Sequence, residues 1–276
     1  MALERTGTRP LRLRPVPLHW LTFGVLNVMG VLAYLHPFFF AEAARRDPRW
    51  FEHSTDAPLI FGAIGALCMV LVVADLTDGR LNSKSLAALG VLAAFAAVFR
   101  TITLPAGANL YFFLVILGSY AFGVRMGFLL GALSFFLSAL ITGGIGPWLP
   151  FQMFASAWMG VSAGLLRPVA GRLGLGLRGQ VALLAAFGAV WGLLFGAITN
   201  LWSWPFWVGG PDVTFEPGIG ALEALRRYWN FYLVTSLGWD LMRSACNALV
   251  LAVLGGPLLR ALLRFRARFW WESEGS

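Results

Sequence analysis

The sequence predicts an all-α integral membrane protein of about eight spans, with both termini on the cytoplasmic side. Three observations carry this reading. The 276-residue chain is 58% hydrophobic and only 12% charged, with a mean hydropathy of +0.73, a composition that belongs to chains solvated by lipid. The stretch from Pro105 to Pro168 holds just two ionised side chains, Arg125 and Arg167, each where a helix would leave the bilayer; a soluble domain this apolar would precipitate. The 21 basic residues are also unevenly placed. With eight spans and the N-terminus inside, fourteen fall in cytoplasmic segments and five outside, as the positive-inside rule requires.

Taken in order, residues 1–16 carry Arg5, Arg9, Arg12 and Arg14. The first span, 17–40, has no small-residue cleavage site before it and is expected to stay as a membrane helix. A mixed-charge loop separates it from a second span, 57–75, which ends in the polar turn DLTDGRLNSK. The third runs from Ser85 to Thr103. The fourth, fifth and sixth occupy 108–123, 126–142 and 151–166, separated by a tight turn at Arg125 and a Gly/Pro/Trp loop over 143–150. A Gly/Arg-rich connection, RPVAGRLGLGLRGQ, leads to the seventh, 180–204. A loop containing Pro205, Pro211 and Pro217 leads to the eighth, 229–257.

Several function classes lose their support. The net charge of +8 is accounted for by orientation, leaving no patch for nucleic acid. Cys68 and Cys246 lie in apolar segments without a CxxC partner. His19, His36 and His53 lack metal-ligand spacing, so no metal or cofactor is expected. Asp75 and Asp78 form a DxxD without the further aspartates of a prenyl-type transferase. There is no P-loop and no HExxH; any ATP-driven role needs nucleotide sites from another chain.

Small residues recur at four-residue spacing: Gly90 with Ala94, Ala93 with Ala97, Gly127 with Gly131, Gly160 with Gly164, and the run Gly188, Gly192, Gly196. Such faces let helix backbones approach closely. Packing within one bundle is the default reading; the Ala-rich third span is broad enough to serve a partner subunit.

Polar groups within spans need a reason. Arg100, Asn109, Trp148, Gln152, Asn200, Trp204, Trp229 and Asn230 all lie beside the loops 104–108, 143–150 and 205–228, which this topology places outside. They outline a cavity of apolar walls with a few hydrogen-bonding groups, although Trp belts also mark membrane interfaces without a ligand. In the last span Ser236, Asp240, Arg243 and Asn247 form one helical stripe. Asp240, eleven residues after Trp229, would lie ~16 Å deep at ~1.5 Å per residue. Arg243 can pair with it, either as a register-fixing salt bridge or as a gating or ion-coupling device.

Three stretches, SKSLAALGVLAAFAAVFR followed by PAGANLYFF, then GFLLGALSFFLSALITGGIGPWLPFQMFASAWMGVSAGLL, and finally SLGWDLMRSACNALV, resemble the S component, the membrane-embedded substrate-binding subunit, of energy-coupling factor (ECF) type vitamin transporters. The resemblance covers residues 81–268. It implies a six-helix S-component-like bundle, with residues 1–80 adding a basic tail and two extra transmembrane helices and 269–276 a cytoplasmic tail. It implies no enzyme activity and a vitamin-like substrate bound beneath the three outside loops. It also implies a transmembrane coupling subunit docked on the small-residue face Gly90, Ala93, Ala94 and Ala97, two ATPase subunits, and a prokaryotic cell membrane. Among vitamins the Trp-lined cavity points first to cobalamin-type members, while Arg100 and Arg243 offer a carboxylate or phosphate receptor for a smaller anionic vitamin. The extra helices raise the question of whether the docking face is covered. An ion-coupled secondary transporter, or a membrane enzyme acting on a lipid or prenyl substrate through Asp240 and Arg243, is the alternative.

Overall fold

A computed structural model describes residues 18–46, 57–77, 83–104 and 109–271. The basic residues 5–14, the acidic turn at Asp78, and the loops 47–56 and 105–108 lie outside the described residues. Within the described residues the regular structure is helical: α1 (Leu18–Arg46), α2 (Ala57–Thr77), α3 (Ser83–Thr101), α4 (Tyr111–Phe122), α5 (Val124–Thr142), α6 (Leu149–Arg172), α7 (Leu177–Asn200), a 3-10 turn (Trp204–Phe206), α8 (Ala221–Thr235) and α9 (Leu237–Trp271).

Six of these are long and apolar enough to cross a membrane: α1 over Trp20–Phe39, α3, α5, α6, α7, and α9 over Leu237–Ala267. The chain is a multi-pass membrane protein. The other two expected spans are shorter. The apolar part of α2 is Gly62–Ala74, and α4 has 12 residues, about 18 Å at ~1.5 Å per residue against a hydrocarbon core of ~30 Å. Tyr111–Ala121 are all buried. α4 is apolar all round because protein, not lipid, surrounds it: α3, α5, α6, α7 and α9 all touch it. It turns into α5 through Gly123 alone, whose φ of 97° is left-handed territory that a side chain would strain. Arg167 and Arg266 donate to the Ala121 carbonyl at 3.1 and 3.0 Å, satisfying the C-terminal end of α4.

The expected eighth span, 229–257, is a correction. The chain breaks at Ser236, and Trp229 and Asn230 belong to α8. α8 carries Glu223, Arg226 and Arg227 in its first half and buries Phe231 and Tyr232 in its second, and its mixture of charged and apolar residues suits an interface. At its end Thr235 Oγ1 donates to the Phe231 carbonyl within the helix, and Ser236 Oγ accepts from Asn200 at the end of α7. Asp240 therefore lies in the first turn of α9, not eleven residues down a continuous helix.

Glycines set the two closest crossings. A Cβ at Gly160 would overlap the Gly127 carbonyl, one at Gly131 the Ser156 carbonyl, and one at Gly164 the Val124 nitrogen, so α5 and α6 run backbone to backbone. On α7, Gly188, Gly192 and Gly196 face α9. The Asn247 amide donates to Gly188 O at 3.0 Å and Arg243 to Gly192 O at 3.2 Å, while the Asp240 carboxylate fills the space a Cβ at Gly196 would need.

The N-terminal helix lies along α6. Trp20 meets Arg125, Phe23 packs on Phe128, Asn27 accepts from the Trp158 indole, Tyr34 donates to Phe151 O, and Phe38 packs on Trp204 and Phe215. α2 contacts α1 and α6. Among the described residues nothing comes within 4 Å of a Cβ placed at Gly90 on α3, so the described parts of α1 and α2 leave that face uncovered.

Candidate substrate site at the α7–α8–α9 junction

Antiparallel packing gathers the ends of α3, α5 and α7 with the starts of α4, α6 and α9 at one end of the bundle, and the polar residues singled out in the sequence lie there. A cavity of about 350 Å³ is lined by Asn200, Trp202, Ser203, Phe206, Trp207, Phe231, Thr235 and Ser236. Asn200 Nδ2 donates to Ser236 Oγ at 2.6 Å, and Ser236 and Thr235 share a hydroxyl contact at 3.1 Å. Trp202 stacks on Phe151 at 5.3 Å, joining this wall to α6. An amide, three hydroxyls and aromatic rings make a pocket for a small organic molecule, with apolar area for binding energy and few polar groups for orientation.

Beside it lies a second group of polar contacts. The Tyr111 hydroxyl contacts Ser134 Oγ at 2.9 Å, Gly131 O at 3.1 Å and Ser156 Oγ, tying α4, α5 and α6 together. Asn109 Oδ1, just ahead of α4, accepts from Tyr111 N at 3.1 Å in a local turn. Gln152 is part-buried one turn beyond Ser156, its Oε1 buried and without a hydrogen bond among the described residues. Phe135 and Phe195 stack at 5.6 Å and 21°, with Arg100 4.4 Å over the first ring and Arg243 5.3 Å over the second. Arg243 also bonds Asp240 Oδ1 at 2.5 Å. Asp240 is 2% exposed.

Of the expected site residues, only Asn200 lines the described cavity. Arg100, Asn109 and Gln152 surround the Tyr111 group. Trp204 is buried in a separate aromatic cluster with Phe215 and Phe231, and donates its indole N–H to Val213 O at 2.8 Å; it anchors the loop. Trp229 is 56% exposed and Asn230 donates to Asp212 O, so both face away from the cavity. Trp148 is the exposed N-cap of α6. Thr235, Ser236, Phe206 and Phe231 enter because the helix breaks at Ser236. The Thr-Ser-x-Gly run was the available signal. On α3, Gly90 and Ala94 are exposed, whereas Ala93 and Ala97 are 1% and 0% exposed and pack inward.

The loop over the cavity is clipped to α8 by charge. Glu223 accepts from Arg226 Nε and Nη2 and from Arg227 Nε, each at 2.8 Å; Arg226 reaches Asp212 at 3.0 Å, and Arg227 reaches Thr214 O at 3.1 Å. Hydrogen bonds from Arg226, then Arg227, push the Glu223 carboxyl down from 4.5 to about 2. A lowered folded-state value stabilises above the ordinary carboxyl pKa and is lost as pH falls through the folded one. Acidification from about 4.5 towards about 2 is therefore expected to release residues 209–218 from α8. Glu223→Gln should show the same faster amide exchange there already at pH 7; unchanged exchange in that variant would remove the clip.

The spelling GVSAG at 160–164 matches a hydrolase-type G-x-S-x-G, but it lies inside α6 with Ser162 Oγ donating to the carbonyls of Trp158 and Met159. It has no strand-to-helix elbow, and its glycines serve the α5–α6 crossing. Among the described residues no group of three His, Cys, Asp or Glu side chains could hold a metal.

No curated protein and no solved structure matches the chain. A family model does, over residues 84–255: the substrate-specific component of ECF transporters. Those residues take in α3 to the middle of α9, the Tyr111 group and the described cavity. With more than half of its length matched, the chain belongs to the family of ECF transporter substrate-specific components, which are binding proteins of membrane transport rather than enzymes.

Proposed function

We propose that the chain captures a small vitamin-like nutrient at the Asn200 end of the bundle, faces that end outside, and delivers the nutrient through a separate coupling subunit and two ATPase subunits. The observation that carries this is the cavity of about 350 Å³, which falls inside the residues matched to the family. Its volume supports a one- or two-ring compound. The cavity is open on one side, so a larger ligand could extend beyond it, and the cobalamin expectation stands beside that of a smaller vitamin until the bound compound is identified. The orientation is supported by charge: Arg125, Arg167, Arg172, Arg178, Arg260 and Arg264 belong to the opposite end, where the positive-inside rule puts the cytoplasm.

The docking face proposed for the coupling subunit is the open side of α3, Gly90 and Ala94 with the neighbouring Ala87. Ala93 and Ala97 would support it from within. Ala94→Trp is expected to abolish co-purification with a coupling subunit while leaving ligand binding unchanged; retained association would move the docking face elsewhere.

Native mass spectrometry of the detergent-purified chain, with its organic extract analysed for small molecules, tests the binding role. A stoichiometric vitamin-sized compound is expected. A covalently altered lipid intermediate in its place would contradict the reading and favour a membrane enzyme.

A further inference from the structure

We infer that the substrate carries a carboxylate and that Arg100, which stands beside the described cavity and not in its lining, receives it across the wall formed by Trp202 and Phe151; this deepens, and rests on, the substrate-binding reading above. Arg100 is the next-to-last residue of α3, where an arginine ordinarily snorkels out to water or lipid headgroups. Here both of its contacts point into the bundle. Nη1 donates to Ser138 Oγ at 2.8 Å, and the guanidinium lies 4.4 Å over the ring of Phe135. Ser138 and Phe135 are 0% and 3% exposed.

A guanidinium has five N–H donors, and Arg100 finds this single hydrogen-bond acceptor and no carboxylate among the described residues. Its counterpart across the Phe135–Phe195 stack is provided for: Arg243 has Asp240 and the Gly192 carbonyl. Among the described residues this end of the bundle thus holds two arginines against one carboxylate, an excess cation that an anionic ligand would complement. The Phe135 ring and Ser138 Oγ hold the guanidinium in place, and its remaining N–H donors suit the two-pronged grip that arginine gives a carboxylate.

What surrounds Arg100 fits a ligand rather than a structural ion. Ser138 is one turn beyond Ser134 on α5, and Gln152 one turn beyond Ser156 on α6, while Ser134 and Ser156 share the Tyr111 hydroxyl. Ser138 and Gln152 therefore stand at one level above that hydroxyl. The buried Gln152 Oε1, without a donor among the described residues, can accept an N–H or O–H from the same molecule. The substrate class is a small organic acid with a hydrogen-bond donor remote from its carboxylate.

The test uses three matched pairs that differ only at the acid: nicotinate and nicotinamide, biotin and biotinamide, pantothenate and panthenol, with thiamine as a cation. Binding is read by tryptophan fluorescence of the full chain in phosphatidylcholine nanodiscs containing some phosphatidylglycerol. The acid of at least one pair should bind about tenfold or more tighter than its neutral partner. Arg100→Gln should abolish that preference and Arg100→Lys should keep part of it, which guards against a variant that merely misfolds. Thiamine or a neutral partner binding as well as the acid, with Arg100→Gln unchanged, overturns the carboxylate while leaving the binding role intact. Loss of bound phosphatidylglycerol from Arg100→Gln in native mass spectra, without any acid preference, assigns Arg100 to a lipid phosphate and also overturns it. Binding of none of the seven compounds overturns it too, because these acids are the class it names; the extract experiment above judges the binding role separately.

Discussion

Asp240→Asn is expected to destabilise the protein by about 3–5 kcal/mol, because it leaves Arg243 charged in the interior without a counterion. Asparagine keeps the shape of the side chain, so the contact with Gly196 survives and only the charge is lost. The double variant Asp240→Asn with Arg243→Met should recover most of that loss, since a buried pair replaced as a unit is often near neutral. A denaturant titration of the three variants, treated as a double-mutant cycle, measures the coupling. The second readout separates structure from mechanism. If the pair fixes the register of α9 against the glycine stripe of α7, the double variant folds and binds its ligand with unchanged affinity. A folded double variant that no longer binds would place the pair in the binding site itself.

Gly160→Ala should cost about 3 kcal/mol, towards the upper end of what overpacking produces. An alanine in a helix interior is otherwise worth up to about 1 kcal/mol over glycine. Here the added methyl would overlap the Gly127 carbonyl, and backbone cannot move aside as a side chain can. The crossing must open, which also strains the Tyr111 contacts to Ser134 and Ser156 one level above. Gly65→Ala in α2, where a Cβ meets nothing within 4 Å, is the control and should be neutral or stabilising. Equal effects at both positions would mean that helix propensity, not the crossing, sets the response.

The membrane class, the bundle and the glycine crossings were legible because lipid imposes apolar length and close approach demands missing side chains. Both constraints are written in residue type. The direction of the α3 alanines was not. Ala93 and Ala94 look alike in sequence, since a methyl group is tolerated equally inside a bundle and against lipid; only the neighbouring helices decide that Ala93 packs inward and Ala94 stays exposed. The break at Ser236 was marked only by the short Thr-Ser-x-Gly run. WNFYLVTSLGWD contains no proline and reads as a continuous helix, whereas at the turn Ser236 Oγ accepts from Asn200, 36 residues earlier, a partner that local sequence does not show. With the helix broken there, Trp229 and Asn230 lie outside the lining of the described cavity, and Thr235 and Ser236 lie within it. Trp204 illustrates the limit of composition: an aromatic residue beside a loop can line a cavity or anchor the loop, and its bond to Val213 O decides for the anchor.

The central claim, a binding component that depends on a separate energy module, is tested most directly in proteoliposomes loaded with ATP inside. The chain alone should bind its substrate without accumulating it. Adding a coupling subunit and its ATPases should produce uptake that requires ATP, and Ala94→Trp should abolish that uptake. Accumulation by the chain alone, driven by an ion gradient and lost in Asp240→Asn, would contradict the account and identify a self-contained transporter.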